Sequence, residues 1–173
     1  MKRDFLIRRA GPEDAASIHR IMVEAAEALE DKDLYVCDDL AYVEQHIQDS
    51  GFAVAACDAD GKIVAGLILR YPGSAEDNLG YDIGLPLAEL GKVVHMESAV
   101  VLPAYRGNHL QEKMLRYAEE LIDKSVYGYF MATVSPDNPA SRICLERNGY
   151  RHVATRKKYG GLIRHICLKK LFR

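Results

Sequence analysis

The segment Val101-Leu102-Pro103-Ala104-Tyr105-Arg106-Gly107-Asn108-His109-Leu110-Gln111 constrains this chain most, because a β-rich run ends at a proline and an Arg-Gly turn then opens an amphipathic helix. The first turn of a helix leaves its amides without intrahelical partners and carries the positive end of the macrodipole. A strand feeding such a turn therefore presents several donors to an anion such as phosphate. Periodicity supports the helix: Leu110, Met114, Ala118, Leu121 and Ile122 fall on one apolar face, and Gln111, Glu112, Lys113, Arg116, Glu119 and Glu120 face outward. Taken alone, an Arg-Gly at a helix entry is also explained by turn geometry.

About thirty residues downstream the strand-like run 129–134 leads into Ser135-Pro136-Asp137-Asn138-Pro139-Ala140-Ser141, a short helix through Asn148, and Gly149-Tyr150. Asn138 reads as an N-cap, Pro139 as the first helical position and Gly149 as the residue past the end. With both blocks in place, the chain resembles the GNAT superfamily of N-acetyltransferases. In that family a Val-x-Pro-x-Tyr-Arg-Gly-x-Gly-x-Gly/Ala block cradles the pyrophosphate of acetyl-coenzyme A, and an Asn-x-x-Ala…Gly-Phe/Tyr block flanks its pantetheine arm. The opening run 5–14 resembles the family's first strand and helix entry, so the likeness extends through nearly the whole chain.

The resemblance implies an α/β (α+β) GNAT-like fold: a central, mixed, mostly antiparallel twisted sheet of six to seven strands flanked by about four helices, in one domain over 1–173. It implies that Arg106, Gly107, Asn108, His109, Leu110 and Gln111 hold the pyrophosphate and that Asn138 and Ser141 flank the pantetheine. It also implies that the backbone N–H around Val101 polarises the thioester carbonyl. Two departures stand out. His109 and Gln111 occupy positions where the family favours glycine or another small residue, and the expectation is that helical φ/ψ makes them acceptable there; His109 either donates to a phosphate or is simply solvated. Leu145 stands seven residues after Asn138, where many members carry the tyrosine that protonates the leaving thiolate. Cys144 beside it reads as a small buried hydrophobe; Tyr150 and Tyr159 are other candidates, each with a packing role as the alternative.

In the family's direct-transfer mechanism a neutral amine attacks the thioester. An alkyl amine with a pKa near ~10.4 is protonated at pH 7, and deprotonating it costs roughly 4 to 5 kcal/mol. On a strand of period two, His95 and Glu97 share a face with Ala99 and Val101. Glu97 is the first candidate for the catalytic base and His95 the second, because a glutamate in an apolar strand is costly unless paired or working. A Glu97–Arg or Glu97–Lys pair at the strand's open end is the alternative.

The remaining chain bounds these readings. With 173 residues and 49% apolar content, the core is ample for one domain. No apolar run approaches eighteen residues and no cleavable leader is evident, so no membrane association and a cytoplasmic location are expected. Cys37, Cys57, Cys144 and Cys167 are scattered, which suggests buried free thiols and no metal. Residues 151–173 contain eight basic side chains (Arg151, Arg156, Lys157, Lys158, Arg164, Lys169, Lys170, Arg173) and no acidic one, which leaves the first 150 residues at a formal −10: fifteen basic against all 25 acidic. These charges alternate with apolar residues around Gly160-Gly161 and read as the solvated faces of two terminal strands. The thin aromatic interleaving argues against nucleic acid, and the acidic bulk suits a cationic amine.

Helices over 12–29 (inward stripe Ile18, Ile21, Met22, Ala25, Leu29) and 38–48, a hairpin 52–57/63–69 around Asp58-Ala59-Asp60-Gly61, and a central strand 93–102 complete the outline. The punctuated stretch 71–91 is too broken for one element; Tyr81 and Asp82 either cover the acceptor pocket or belong to a surface excursion. Tyr35, Tyr71 and Tyr81 are candidate pocket residues. The expected function is transfer of an acetyl group from acetyl-CoA to a primary amine, on a small molecule or on the amino group of a peptide or protein. A catalytically silent acyl-CoA-binding sensor or partner module of the same fold is the alternative, and a nucleic-acid-binding domain is a more distant one. A homodimer through the terminal strands is permitted.

Overall fold

Short β-branched and alanine-rich runs separated by turn residues become strands throughout the chain, and a computed structural model describes residues 4–171. Seven strands, Leu6–Arg9 (β1), Gly51–Cys57 (β2), Ile63–Arg70 (β3), Val93–Val101 (β4), Tyr129–Val134 (β5), Arg151–Lys158 (β6) and Leu162–Lys170 (β7), run in the sheet order β1-β2-β3-β4-β5-β7-β6. Four α-helices accompany them: Ala15–Glu27 (α1), Leu40–Gln48 (α2), Leu110–Leu121 (α3) and Pro139–Arg147 (α4). The sheet is mixed: β4 and β5 are parallel, while the pairs β1/β2, β5/β7 and β6/β7 are antiparallel. This is the expected fold class. The residues divide into two compact units, one comprising those up to Leu69 with Ser98–Leu121, the other Arg70–Glu97 with those from Ile122 onward.

In the first unit, the β2/β3 hairpin closes where the Asp58 carboxylate accepts from the Asp60 and Lys62 amides at 3.1 and 3.0 Å. Gly61 takes the left-handed φ of +79° that the turn requires. Both strands are buried almost throughout, so they lack a polar alternation. Helix α1 begins three residues later than the sequence suggests. A 3-10 turn, Pro12–Asp14, precedes it, and Asp14 accepts from the Gly11 amide at 2.8 Å and from Arg8 at 2.7 and 2.9 Å. Ile18, Ile21, Met22 and Ala25 are buried as expected, but α1 ends at Glu27 and Leu29 lies beyond it, half-buried. Asp39 caps α2 through the Tyr42 amide at 2.8 Å. The buried stripe of α3 takes in Leu115 with Leu110, Met114 and Ala118, whereas Leu121, expected on that face, is the last helical residue and 40% exposed.

The second unit is centred on Leu79, Val93, Tyr129, Met131 and Ile166. Asn78 orders the 71–91 stretch from within. Its buried side chain donates to the Gly73 and Leu90 carbonyls at 2.7 and 3.1 Å and accepts from the Gly80 amide at 2.8 Å. A Cβ on Gly80 would come within 2.8 Å of a Leu90 methyl, so a larger residue there requires that side chain to shift. Two 3-10 turns, Tyr81–Ile83 and Leu87–Lys92, then deliver the chain to β4.

The reading of 151–173 as solvated faces needs correction. Arg164 shares a face of β7 with core residue Ile166 and is 4% exposed, its guanidinium 5.7 Å from the Tyr159 ring centre, while Val153 and Ile163 are exposed. A register irregularity in β6 between His152 and Ala154 resets the alternation that the sequence suggests. Arg173 lies outside the described residues. Cys57 and Cys167 are buried as expected, but Cys37 and Cys144 are only half-buried. No helix among the described residues is long and apolar enough to cross a membrane.

Candidate functional site

The Val101–Gln111 block lies in the first unit. From the end of β4 the chain makes a 3-10 turn, Pro103–Tyr105, held where the Tyr105 hydroxyl donates to Asp58 at 3.0 Å. The Asn108 amide group donates back to the Tyr105 carbonyl at 2.8 Å, bending residues 106–108 into the entrance of α3. Gly107 has φ +80° with open space where a Cβ would sit, and the Arg106 and His109 side chains are exposed. The Lys113 backbone amide donates to the His109 carbonyl at 3.0 Å, so the amides of the preceding helical residues lie in the first turn, directed along the axis. Open backbone at Gly107, two exposed basic side chains and a twelve-residue helix with its positive end here suit a phosphate.

His109 is not in right-handed helical geometry. Its φ is +57°, in the left-handed region that favours glycine, so the expectation of helical φ/ψ fails here and holds only for Gln111, which lies within α3. The imidazole Nδ1 is 3.8 Å from Glu112, whose other oxygen pairs with Arg116 at 2.5 Å.

In the second unit Asn138 caps α4, its side-chain oxygen accepting from the Ser141 amide at 3.2 Å, with Pro139 opening the helix. Leu145 is buried. Asn148 donates to the Cys144 carbonyl at 2.7 Å and lies 3.8 Å from its sulfur. Tyr150 is also buried, with the Lys169 ammonium 5.9 Å from its ring centre. Tyr159 differs: it has φ +52°, is 48% exposed, and shares a 2.9 Å hydrogen bond with Thr133.

A cleft of about 150 Å³ in this unit brings Tyr159 together with His95 and Glu97. β4 contributes His95, Met96 and Glu97, β5 contributes Met131, Ala132 and Thr133, the 71–91 stretch contributes Asp77 and Leu79, and Lys158 comes from the end of β6. His95 is 3% exposed and its Nδ1 lies 3.2 Å from Glu97. The Leu79 amide donates to its Nε2 at 3.0 Å. Asp77 is paired with Arg70 through two bonds of 2.6 and 2.9 Å, which hold its carboxyl below the usual carboxylate range. Lys158 is paired with Asp82 at 2.5 Å. The lining thus combines apolar side chains (Leu79, Met96, Met131, Ala132) with hydroxyl, imidazole and carboxylate groups within one small volume.

Several of these residues escaped sequence reasoning. Asp77 and Leu79 are ordinary loop residues whose only signal is the turn-rich setting of Asn78, and Lys158 is one of several basic residues on a strand. Tyr35, Tyr71 and Tyr81 are not among the cleft's lining residues. Tyr35 bonds Ser98 at 2.7 Å, its hydroxyl pKa raised by burial; Tyr71 stacks on Tyr127 at 4.4 Å; and Tyr81 is exposed.

A model of the acetyltransferase (GNAT) family matches residues 15–150. No curated protein matches the sequence. Similar solved structures include a GNAT-family acetyltransferase from Listeria monocytogenes 4b F2365, 23% identical, with a TM-score of 0.70 and coverage of 96% of this chain and 95% of that one. Another is yncA from Salmonella typhimurium, solved with its cofactor acetyl-CoA, 18% identical with a TM-score of 0.70, covering 98% and 95%. A third is the ribosomal-protein-S18-alanine N-acetyltransferase of Escherichia coli, 14% identical with a TM-score of 0.71, covering 97% and 94%. At these identities the likeness establishes the fold.

Proposed function

Because the chain belongs to the acetyltransferase (GNAT) family, and is an acyltransferase by that membership, we propose that it transfers an acetyl group from acetyl-CoA to a primary amine by direct attack within a ternary complex. In this reading 1–173 is one acetyltransferase domain, and the family match running through both compact units supports that. The cleft at Glu97 carries the proposal. It combines a carboxylate, a neighbouring imidazole and apolar lining side chains in a space suited to the end of an amine-bearing group.

When bound, acetyl-CoA supplies an acetyl group activated as a thioester. Arg106, Gly107, Asn108, His109, Leu110 and Gln111 hold its pyrophosphate, using the helix entrance, the exposed Arg106 guanidinium and the exposed His109 imidazole. Asn138 and Ser141 flank the pantetheine through atoms other than the capping pair, since the Asn138 oxygen and the Ser141 amide are bonded to each other. The Val101 N–H polarises the carbonyl that is attacked, an interaction of the kind that lowers a barrier by a few kcal/mol. Glu97 accepts the amine proton, directly or through water. With a buried leucine at 145, the Tyr159 hydroxyl is the candidate donor to the departing thiolate, supported by its place in the same cleft.

The acceptor is a small cationic amine or the amino terminus of a peptide. The formal −10 of residues 1–150 favours a cation, and the Escherichia coli relative's action on a ribosomal-protein alanine brings peptide N-termini into the test panel. Calorimetric titration with acetyl-CoA is the first test. A hundredfold excess over Kd should stabilise the fold by about 2.7 kcal/mol, a rise in Tm of roughly 5 to 10 °C. Absence of binding by either method removes the reading. With a turned-over amine in hand, Glu97→Gln should abolish the ascending limb of the pH–rate profile while sparing acetyl-CoA affinity; an unchanged profile excludes Glu97 as the base.

A second reading is an acyl-CoA-binding module without catalysis. Leu145, which carries no proton to donate, favours it. Acetyl-CoA binding without thiol release across the amine and peptide panel would establish it.

A further inference from the structure

His95 stands second to Glu97 as a base, yet its hydrogen bonds give it a different task. A backbone amide can only donate, so the Leu79 N–H at 3.0 Å requires a lone pair on His95 Nε2. A neutral imidazole carries one proton, and with Nε2 bare that proton is on Nδ1. Nδ1 lies 3.2 Å from Glu97 Oε2, where a carboxylate accepts it. One tautomer therefore satisfies both contacts, and the ring's single lone pair is already engaged.

We propose that His95 is a positioning residue: a neutral Nδ1–H imidazole that orients the Glu97 carboxylate on one side and ties the 71–91 stretch, through the Leu79 amide, to the cleft on the other. It is not a base. An incoming ammonium finds no free lone pair on the ring, so its proton goes to Glu97. This deepens the proposed function and rests on it for the role of Glu97, but the tautomer and the two hydrogen bonds stand independently of any acceptor. The latch matters because Leu79 both lines the cleft and belongs to the second unit's core. A bond at this amide ties Leu79, and with it part of the cleft lining, to β4.

The two contacts separate by substitution. Asparagine places a donor near the Nδ1 position without reaching Leu79. Glutamine places an acceptor near Nε2 without serving Glu97. The charged or titratable groups facing this ring in the cleft are Asp77 with its partner Arg70, Lys158 with its partner Asp82, Glu97 and Tyr159, and all remain in every variant.

The test is made on the free protein. Long-range nitrogen–proton correlation on histidine-labelled protein, with His95→Asn assigning the resonance, should find the His95 proton on Nδ1 and Nε2 bare near neutral pH; a proton on Nε2 overturns the proposal. Carbon-detected titration should find the Glu97 midpoint raised by about one pH unit in His95→Gln, a tenfold change in proton affinity, and near wild type in His95→Asn. Hydrogen exchange at the Leu79 amide should be about tenfold faster in His95→Asn and near wild type in His95→Gln. If the two variants move both readouts together, or move neither, the division of labour is wrong. If either variant fails to fold, the tautomer measured on wild-type protein decides. Failure to bind acetyl-CoA removes the acetyltransferase reading and leaves these three readouts intact, so the two failures are distinguishable.

Discussion

His109 is the residue whose conformation and identity conflict most directly. An L-residue in the left-handed region is disfavoured by roughly 1 to 2 kcal/mol, and His109 is held there at φ +57° by the entrance to α3. Replacing it by glycine relieves that strain but adds chain entropy to the unfolded state, so His109→Gly should stabilise the protein by up to about 1 kcal/mol. Thermal unfolding should record a rise of roughly 2 to 4 °C. A persistent imidazole at a strained position is reasonable if it serves an anion, and the same variant should then bind acetyl-CoA more weakly despite its higher Tm. Tyr159, at φ +52°, is a second such residue, and its hydroxyl reaches Thr133 at the cleft.

Helix entrances carry the next level of organisation, and two are built differently. The turn before α1 depends on Asp14, whose carboxyl is held below the usual range first by hydrogen bonds from Arg8 and then by the Gly11 amide, against the opposing effect of burial. Because the folded pKa is depressed, the stabilisation is present above the unfolded value of about 3.9 and disappears as the pH falls through the folded one. Asp14→Asn should therefore cost roughly 1 to 3 kcal/mol at pH 7, with variant and wild type converging in acid; a difference that persists at low pH would assign the loss to packing. Entry to α4 depends on Asn138. Asn138→Ala should cost about 1 kcal/mol through the lost cap, read as a lower urea midpoint. If Asn138 also flanks the pantetheine, acetyl-CoA affinity falls further than the same loss of stability alone produces.

Across the whole chain charge is segregated, and most of the basic side chains at its C-terminal end are engaged. Five of the basic residues after Tyr150 are committed within the second unit: Arg156 to the Asp82 carbonyl, Lys158 to the Asp82 carboxylate, Arg164 to the Ile163 carbonyl and the Tyr159 ring, and Lys169 and Lys170 over the Tyr150 and Tyr129 rings. Cations held this way are poorly placed to follow a phosphate backbone. Random duplex DNA or RNA should not bind at low salt in an electrophoretic or anisotropy assay. Binding that falls steeply with salt would instead establish a nucleic-acid function.

Local pattern was enough to delimit β5, the β2/β3 hairpin, the capped start of α4 and the Pro-Arg-Gly entrance to α3, because each depends on interactions within a few residues: strand periodicity, an Asx turn, an N-cap, a glycine at positive φ. The GNAT resemblance followed from two such local blocks. The cleft was not legible in that way. Asp77 meets Arg70, Leu79 meets His95, and Lys158 meets Asp82 across 7, 16 and 76 residues, and no periodicity encodes those meetings. The same holds for the buried Arg164 and the exposed Ile163: an alternating strand defines two faces, but the partner that packs on one of them decides which is inside. Sequence placed His95 and Glu97 on one face of β4. Folding of the 71–91 stretch over that face, driven by burial of Leu79 and the bonds of Asn78, distinguished a ring whose lone pair is engaged from a carboxylate that remains at the cleft.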